Sequence, residues 1–155
     1  MITILEIPTI SSQSVLQELD LTLGVLRSIP ESKRMKHWNI MENSKFVVDP
    51  GVHTRWITDQ MSSLYGVNSC SVRLLAPFSG YHVHQDDHRW EPINYHSVLQ
   101  SAPGNYFIYP EFTGAQQIWP LDQRDCVYSC VTDQPHSFIN LSDVPRIHIT
   151  WETRY

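Results

Sequence analysis

The sequence predicts a mainly β fold with N-terminal helices: a jelly roll, or double-stranded β-helix, of cupin-like type. Three observations lead there. From residue 69 onward, eight short runs of strand character follow one another, each closed by turn residues. Many short strands at regular spacing indicate a sandwich or barrel rather than a parallel α/β sheet, and eight is the strand count of a double-sheet jelly roll. Helical periodicity is confined to the chain before that point. The length, 155 residues, suits one domain, with a helical cap over 1–68 and a jelly-roll core over 69–155.

Taken in order, residues 2–7 alternate loosely and stop at Pro8, which suggests a short strand. Ser11 to Ser14 offer caps for a short helix or turn over Val15–Leu19. Residues 22–45 give mixed signals, and the basic cluster Lys33-Arg34-Met35-Lys36 reads as solvated surface. Asp49-Pro50 has the form of a helix start, an acid at the cap and proline at the first helical position. Val52, Trp56, Ile57, Met61 and Leu64 recur at helical spacing, and Gly66 is a stop. Trp56 and Met61 are expected in the core of that helix, roughly 50–65. The strands are expected at about 70–76, 80–86, 93–99, 105–109, 115–119, 126–131, 136–140 and 146–152.

Composition narrows the partners. The formal charge is −5, from 11 basic and 16 acidic residues, and no basic run suggests nucleic acid. No basic n-region precedes an apolar stretch, and no apolar run approaches membrane-spanning length, so a cytoplasmic protein without a membrane partner is expected. The three cysteines, at 70, 126 and 130, lack the spacing of a disulfide framework or a zinc knuckle and read as buried thiols. No serine–histidine–acid triad or phosphate loop is present.

The histidines carry the chemistry. There are eight, five of them at positions 82, 84, 88, 96 and 136. His84 and Asp86 are two apart, which places both on one face of an extended strand. His136 follows 52 residues later and Arg146 ten beyond that. Two imidazoles and one carboxylate are the ligand set of a non-haem Fe(II) site with open coordination positions. Arg146, His148 and Thr150 share one strand parity, and Ile147, Ile149 and Trp151 share the other. A polar face at a sheet is costly unless a partner satisfies it, and a carboxylate-bearing ligand would satisfy Arg146 through its planar fork. The bland alternative is an ion pair between Arg146 and Asp143.

The run from Arg73 to Glu152 resembles the 2-oxoglutarate/Fe(II) dioxygenases of the aspartyl/asparaginyl β-hydroxylase family, which includes free-proline hydroxylases of the same fold. His136-Ser-Phe-Ile-Asn140-Leu-Ser-Asp-Val-Pro-Arg146-Ile-His148-Ile is similar to the family's distal segment. Arg73-Leu-Leu-Ala-Pro77, followed by His84-x-Asp86, is similar to its proximal half. The resemblance implies a jelly-roll core, Fe(II) held by His84, Asp86 and His136, and 2-oxoglutarate held by Arg146, with His96 and His148 as further co-substrate residues. The family often carries Arg-x-His on the strand after the first ligands, where this chain reads Asn94-Tyr95-His96. The implied activity is hydroxylation of an unactivated C–H bond in an amino acid, or in an Asp, Asn or Pro side chain of a peptide or protein. Dioxygen is consumed, and succinate and CO2 are released.

Two other readings stand beside this one. His82 shares the parity of His84, so a cupin-type centre could use His82, His84, Glu91 and His136. A metal-free jelly-roll binding module would use the histidines to line a groove. Asp87 and His88 are expected in a loop, and Arg89 and Trp90 near the site mouth as a clamp or as ordinary loop contacts. Tyr106, Tyr109, Phe112 and Trp119 are expected as core or pocket wall, and Asn140 as a turn residue or a tie for the distal segment.

Overall fold

The computed structural model describes residues 2–30, 35–87, 90–110 and 117–155. The elements are β1 (Ile2–Ile4), α1 (Ser12–Leu23), a 3-10 turn (Val25–Arg27), β2 (Met35–Glu42), β3 (Lys45–Phe46), α2 (Val52–Tyr65), β4 (Ser69–Leu75), β5 (Ser79–Gly80), β6 (Ile93–Gln100), β7 (Asn105–Ile108), β8 (Ile118–Pro120), β9 (Tyr128–Val131), β10 (Ser137–Asn140) and β11 (Arg146–Glu152). They form a seven-stranded sheet in the order β1-β9-β6-β11-β4-β2-β3 and a four-stranded sheet in the order β5-β10-β7-β8. β4 to β11 divide equally between the two sheets, the arrangement of a double-stranded β-helix. Neither helix is long and apolar enough to cross a membrane.

Several boundaries differ from expectation. Of the strand expected at 80–86, only Ser79–Gly80 pairs as a strand; the rest is irregular and touches the small sheet through one bridge, His84 to His136. The strand expected at 115–119 is described only from Ile118, since 115 and 116 lie outside the described residues. Residues 1–68 supply more than a helical cap: β1 extends the large sheet at one end, and β2 and β3 extend it at the other. β2 eluded the sequence reading because Lys36, His37 and Asn39 face solvent and its pairing to β4 shifts register between Asn39 and Met41. Lys36 is exposed with its ammonium 5.0 Å from the Trp38 ring centroid; Lys33 and Arg34 lie outside the described residues.

The alternation along β11 sorts two interiors. Ile147, Ile149 and Trp151 pack with Val72, Leu74 and Leu99 of the sheet, Val15 and Leu19 of α1, and Ile57 and Met61 of α2. Trp151 Nε1 donates to Thr58 Oγ1 at 3.2 Å, so the buried indole N–H is satisfied. Arg146, His148 and Thr150, on the opposite parity, are also fully buried and belong to the space between the sheets. That space is closed by Val98, Phe107, Tyr109, Tyr128 and Cys130. All three cysteines are buried and free.

α2 is fixed by a contact between distant parts of the chain. Asp49 is not its cap. The helix begins at Val52 after Gly51, and the capping acid is Glu18 of α1. Glu18 accepts from the backbone N–H of His53 at 2.7 Å and of Thr54 at 2.8 Å, and from Thr54 Oγ1 at 2.8 Å. A Cβ on Gly51 would lie 2.6 Å from the Glu18 carboxyl carbon at φ +96°, so only glycine fits under the carboxylate. The buried stripe of α2 is Thr54, Ile57, Thr58 and Met61. Trp56, expected in the core with Met61, is 53% exposed. It lies in line with exposed Val52, one step around the helix from the Ile57–Met61 pair.

Burial pushes the Glu18 carboxyl up, but the hydrogen bonds from His53 and Thr54 outweigh it and hold the carboxyl below its ordinary range. An acid with a depressed folded pKa stabilises above its unfolded pKa and loses that contribution as pH falls through the folded value. Glu18→Ala is expected to lower stability by about 1–2 kcal/mol at neutral pH. In urea titrations the difference from wild type should shrink as the pH is taken below the carboxylate range.

Candidate metal centre

His84 and His136 are brought together by their backbones. His84 N–H donates to the His136 carbonyl at 2.9 Å and His136 N–H to the His84 carbonyl at 2.8 Å. This is the reciprocal pair of an antiparallel bridge. Asp86 N–H then donates to the Thr132 carbonyl at 3.0 Å, which holds the third residue against the segment that leads from β9 to β10. The ligand atoms of His84, Asp86 and His136 lie within 4.8 Å of one another. Asp86 Oδ1 is 3.4 Å from His84 Nε2 and 3.5 Å from His136 Nε2. With metal–ligand bonds of about 2 Å, neighbouring ligand atoms stand about 3 Å apart, so the group closes on an ion with only small movement.

The imidazoles are oriented for this. His84 Nδ1 is 2.9 Å from the His82 carbonyl, and His136 Nδ1 is 2.8 Å from the Gln134 carbonyl. A carbonyl only accepts, so each Nδ1 carries a proton and each ring turns its Nε2 toward Asp86. The His136 ring stacks on Phe107 at 5.2 Å. Tyr81 meets the His84 ring edge-on at 5.0 Å and stacks on Phe138. Burial raises the Asp86 carboxyl, but the hydrogen bond with His84 and the charge on His136 overcome that and keep it low. His84 is raised by its bond to Asp86, against burial, while burial lowers His136.

Behind this group lies the polar interior. Thr150 of β11 is opposite His96 of β6, and the His96 and His148 rings stack 5.3 Å apart. Both nitrogens of both rings, Thr150 Oγ1, and Arg146 Nε and Nη1 are buried with no hydrogen-bond partner among the described residues. Each such group costs about 1–3 kcal/mol. Arg146 makes no ion pair with Asp143 or any other described acid; its guanidinium stands 5.5 Å from the Phe138 ring centroid. Burial lowers Arg146 to about 10, which leaves it charged at neutral pH. Burial and the charge of Arg146 push His148 far down, and burial with the charges of Arg73 and Arg146 does the same to His96, so both imidazoles are neutral. A guanidinium with no ion pair among the described residues, beside two neutral imidazoles, has the chemistry to meet a small anion with further polar atoms.

The other candidates fall elsewhere. His82 is exposed and does not join the converging group, nor does Glu91. Glu91 lines a cleft of about 490 Å³ with Asp86, exposed Asp87 and Trp90. Trp90 packs under the Arg154 guanidinium at 3.9 Å. Tyr109 is fully buried, and Tyr106 and Trp119 are half-buried. His88, Arg89 and Phe112 lie outside the described residues. Asn140 ties the distal segment: its Nδ2 donates to the carbonyls of Leu75, Ala76 and Val144, and its Oδ1 accepts from Ser142 N–H and Oγ. Sequence reasoning named Asn94 and Arg73 but missed what they touch, and it assigned no role to Glu152. Asn94 Nδ2 donates to Asp86 Oδ2 at 3.0 Å. Glu152, buried at the end of β11, pairs with Arg73 at 2.9 Å. The position of Glu152 on the parity of Arg146 was the available signal.

The sequence matches no protein-family model, and no curated protein matches it. The fold does match solved structures. An oxidoreductase of the 2OG-Fe(II) oxygenase family from Burkholderia pseudomallei aligns at 13% identity and TM-score 0.64, over 99% of this chain and 84% of that one. A Pseudomonas putida prolyl-4-hydroxylase aligns at 15% identity and TM-score 0.61, over 100% and 92%. A Trichoplax adhaerens prolyl hydroxylase, solved with a peptide fragment of the hypoxia inducible factor oxygen degradation domain, aligns at 14% and TM-score 0.64, over 99% and 83%. At these identities the likeness is one of fold.

Asp86→Ala is expected to abolish stoichiometric Mn(II) or Fe(II) binding in equilibrium titrations, and His82→Ala to leave it unchanged. The reverse pattern would establish the cupin-type centre.

Proposed function

We propose that this chain is an Fe(II)/2-oxoglutarate-dependent dioxygenase that hydroxylates an unactivated C–H bond. The observation that carries the proposal is the pairing of two features: a His/Asp/His group converging at one end of the jelly roll, and a buried, unpaired arginine with neutral imidazoles behind it. Bound Fe(II) and 2-oxoglutarate would supply the activation of dioxygen, with loss of CO2 and formation of succinate. His84, Asp86 and His136 would hold the metal through Nε2, Oδ1 and Nε2. Arg146 would bind the co-substrate's far carboxylate, with His148, His96 and Thr150 offering donors and acceptors to its remaining oxygens. The stacked aromatics Tyr81, Phe138 and Phe107 shield the imidazoles from water.

The substrate we infer is an amino acid, or an Asp, Asn or Pro side chain in a peptide or protein. Two motif segments support the aspartyl/asparaginyl β-hydroxylase branch: His84-x-Asp86 after Arg73–Pro77, and His136 to Ile149. The prolyl hydroxylases among the structural neighbours make proline-containing peptides equal members of the first test panel.

The test is succinate release with Fe(II), 2-oxoglutarate and dioxygen, across amino acids and Asp-, Asn- and Pro-containing peptides. Oxygen-dependent succinate is expected, with slow release even without substrate and none from Asp86→Ala. No succinate from iron-loaded protein would overturn the proposal. Arg146→Leu is expected to raise the KM for 2-oxoglutarate by about 30-fold or more, the cost of losing one partner of a buried charge pair.

A further inference from the structure

We propose that Asn94 positions the Asp86 carboxylate, leaving one oxygen for the metal and holding the other away from it. This rests on the assignment of His84, Asp86 and His136 as ligands. The two oxygens of Asp86 have separate neighbours. Oδ1 faces the two Nε2 atoms, at 3.4 and 3.5 Å. Oδ2 accepts from Asn94 Nδ2 at 3.0 Å. The direction of the amide is settled by chemistry: its nitrogen also lies 3.4 Å from Glu152 Oε1, and only an N–H donates to two carboxylates.

The support behind Asn94 is buried. Asn94 is 4% exposed and Glu152 is 3% exposed. Glu152 Oε1 accepts from Arg73 Nη2 at 2.9 Å, and Oε2 lies 3.9 Å from Arg154 Nη2. A line of contacts thus runs from the arginines through Glu152 and Asn94 to the back of Asp86. This matters because a carboxylate free to swing places both oxygens on a metal and fills a position that a reactant needs. While Oδ2 is engaged, two-oxygen binding leaves a buried amide donor unsatisfied, which is unfavourable. A neutral amide does this without placing a cation beside the metal, as an arginine at the same position would.

The test compares full-length wild type with Asn94→Leu, which is close in volume and has no donor, and with Asn94→Ala, which avoids any strain from the larger side chain. Circular dichroism and melting curves establish folding. Mn(II) affinity is measured by titration, and the exchangeable waters on bound Mn(II) by broadening of its EPR lines in isotopically labelled water. A variant that folds as wild type is expected to bind Mn(II) about ten- to a hundredfold more weakly and to carry fewer exchangeable waters, because Asp86 then uses both oxygens. An unchanged water count overturns the positioning role, whatever the affinity. Loss of the fold in both variants also overturns it, by assigning Asn94 to the scaffold. Wild type that binds neither Mn(II) nor Fe(II) overturns the ligand assignment itself, a failure separate from an unchanged variant.

Discussion

Two backbone hydrogen bonds, exchanged between His84 and His136, set the geometry on which the site depends. They join an irregular segment after β5 to the start of β10, residues more than fifty positions apart in the chain. The pairing of the two residues is made by main-chain atoms alone. The carbonyls of His82 and Gln134 then fix which nitrogen of each ring is protonated. Asn140 stabilises the far end of β10 by engaging three carbonyls at once. The convergence of His84 and His136 is therefore a product of main-chain pairing, and the side chains around them refine what the bridge has placed.

The two faces of β11 show how a single strand serves fold and site together. Ile147, Ile149 and Trp151 anchor the large sheet under α1 and α2. Arg146, His148 and Thr150 give the space between the sheets its polarity. Apolar burial on one side offsets the cost of unpaired polar atoms on the other. A substitution on the helix-facing side would disturb the polar set, because both sets of residues share one backbone.

Much of this was legible in the sequence because local rules decide it. Turn residues marked most of the core strands, but of the one expected at 80–86 only Ser79–Gly80 forms, so the strand parity expected of His84 and Asp86 does not apply there. The spacing of His84, Asp86 and His136 did single out three residues whose ligand atoms converge. What escaped was decided at long range. The Glu18 cap on α2 joins residues 35 apart and leaves no mark in the helix's own sequence. β2 is half solvated, so its polar residues hid it. Trp56 fits a helical repeat, but the stripe that meets the sheet runs through Ile57 and Met61. The link from Asn94 to Asp86 crosses between two chain segments whose register no pattern reveals.

The three cysteines bear on how such a protein would survive its own chemistry. Burial pushes the Cys130 thiol up to about 12, and Cys70 and Cys126 are raised as well, burial again first among the causes. Peroxide attacks the thiolate and not the thiol. Peroxide, if bound ferrous iron generated it in air, would meet these three thiols only in a protonated, buried form. Oxidative wear would then fall on the half-buried thioether of Met35 before it reached the thiols inside the fold.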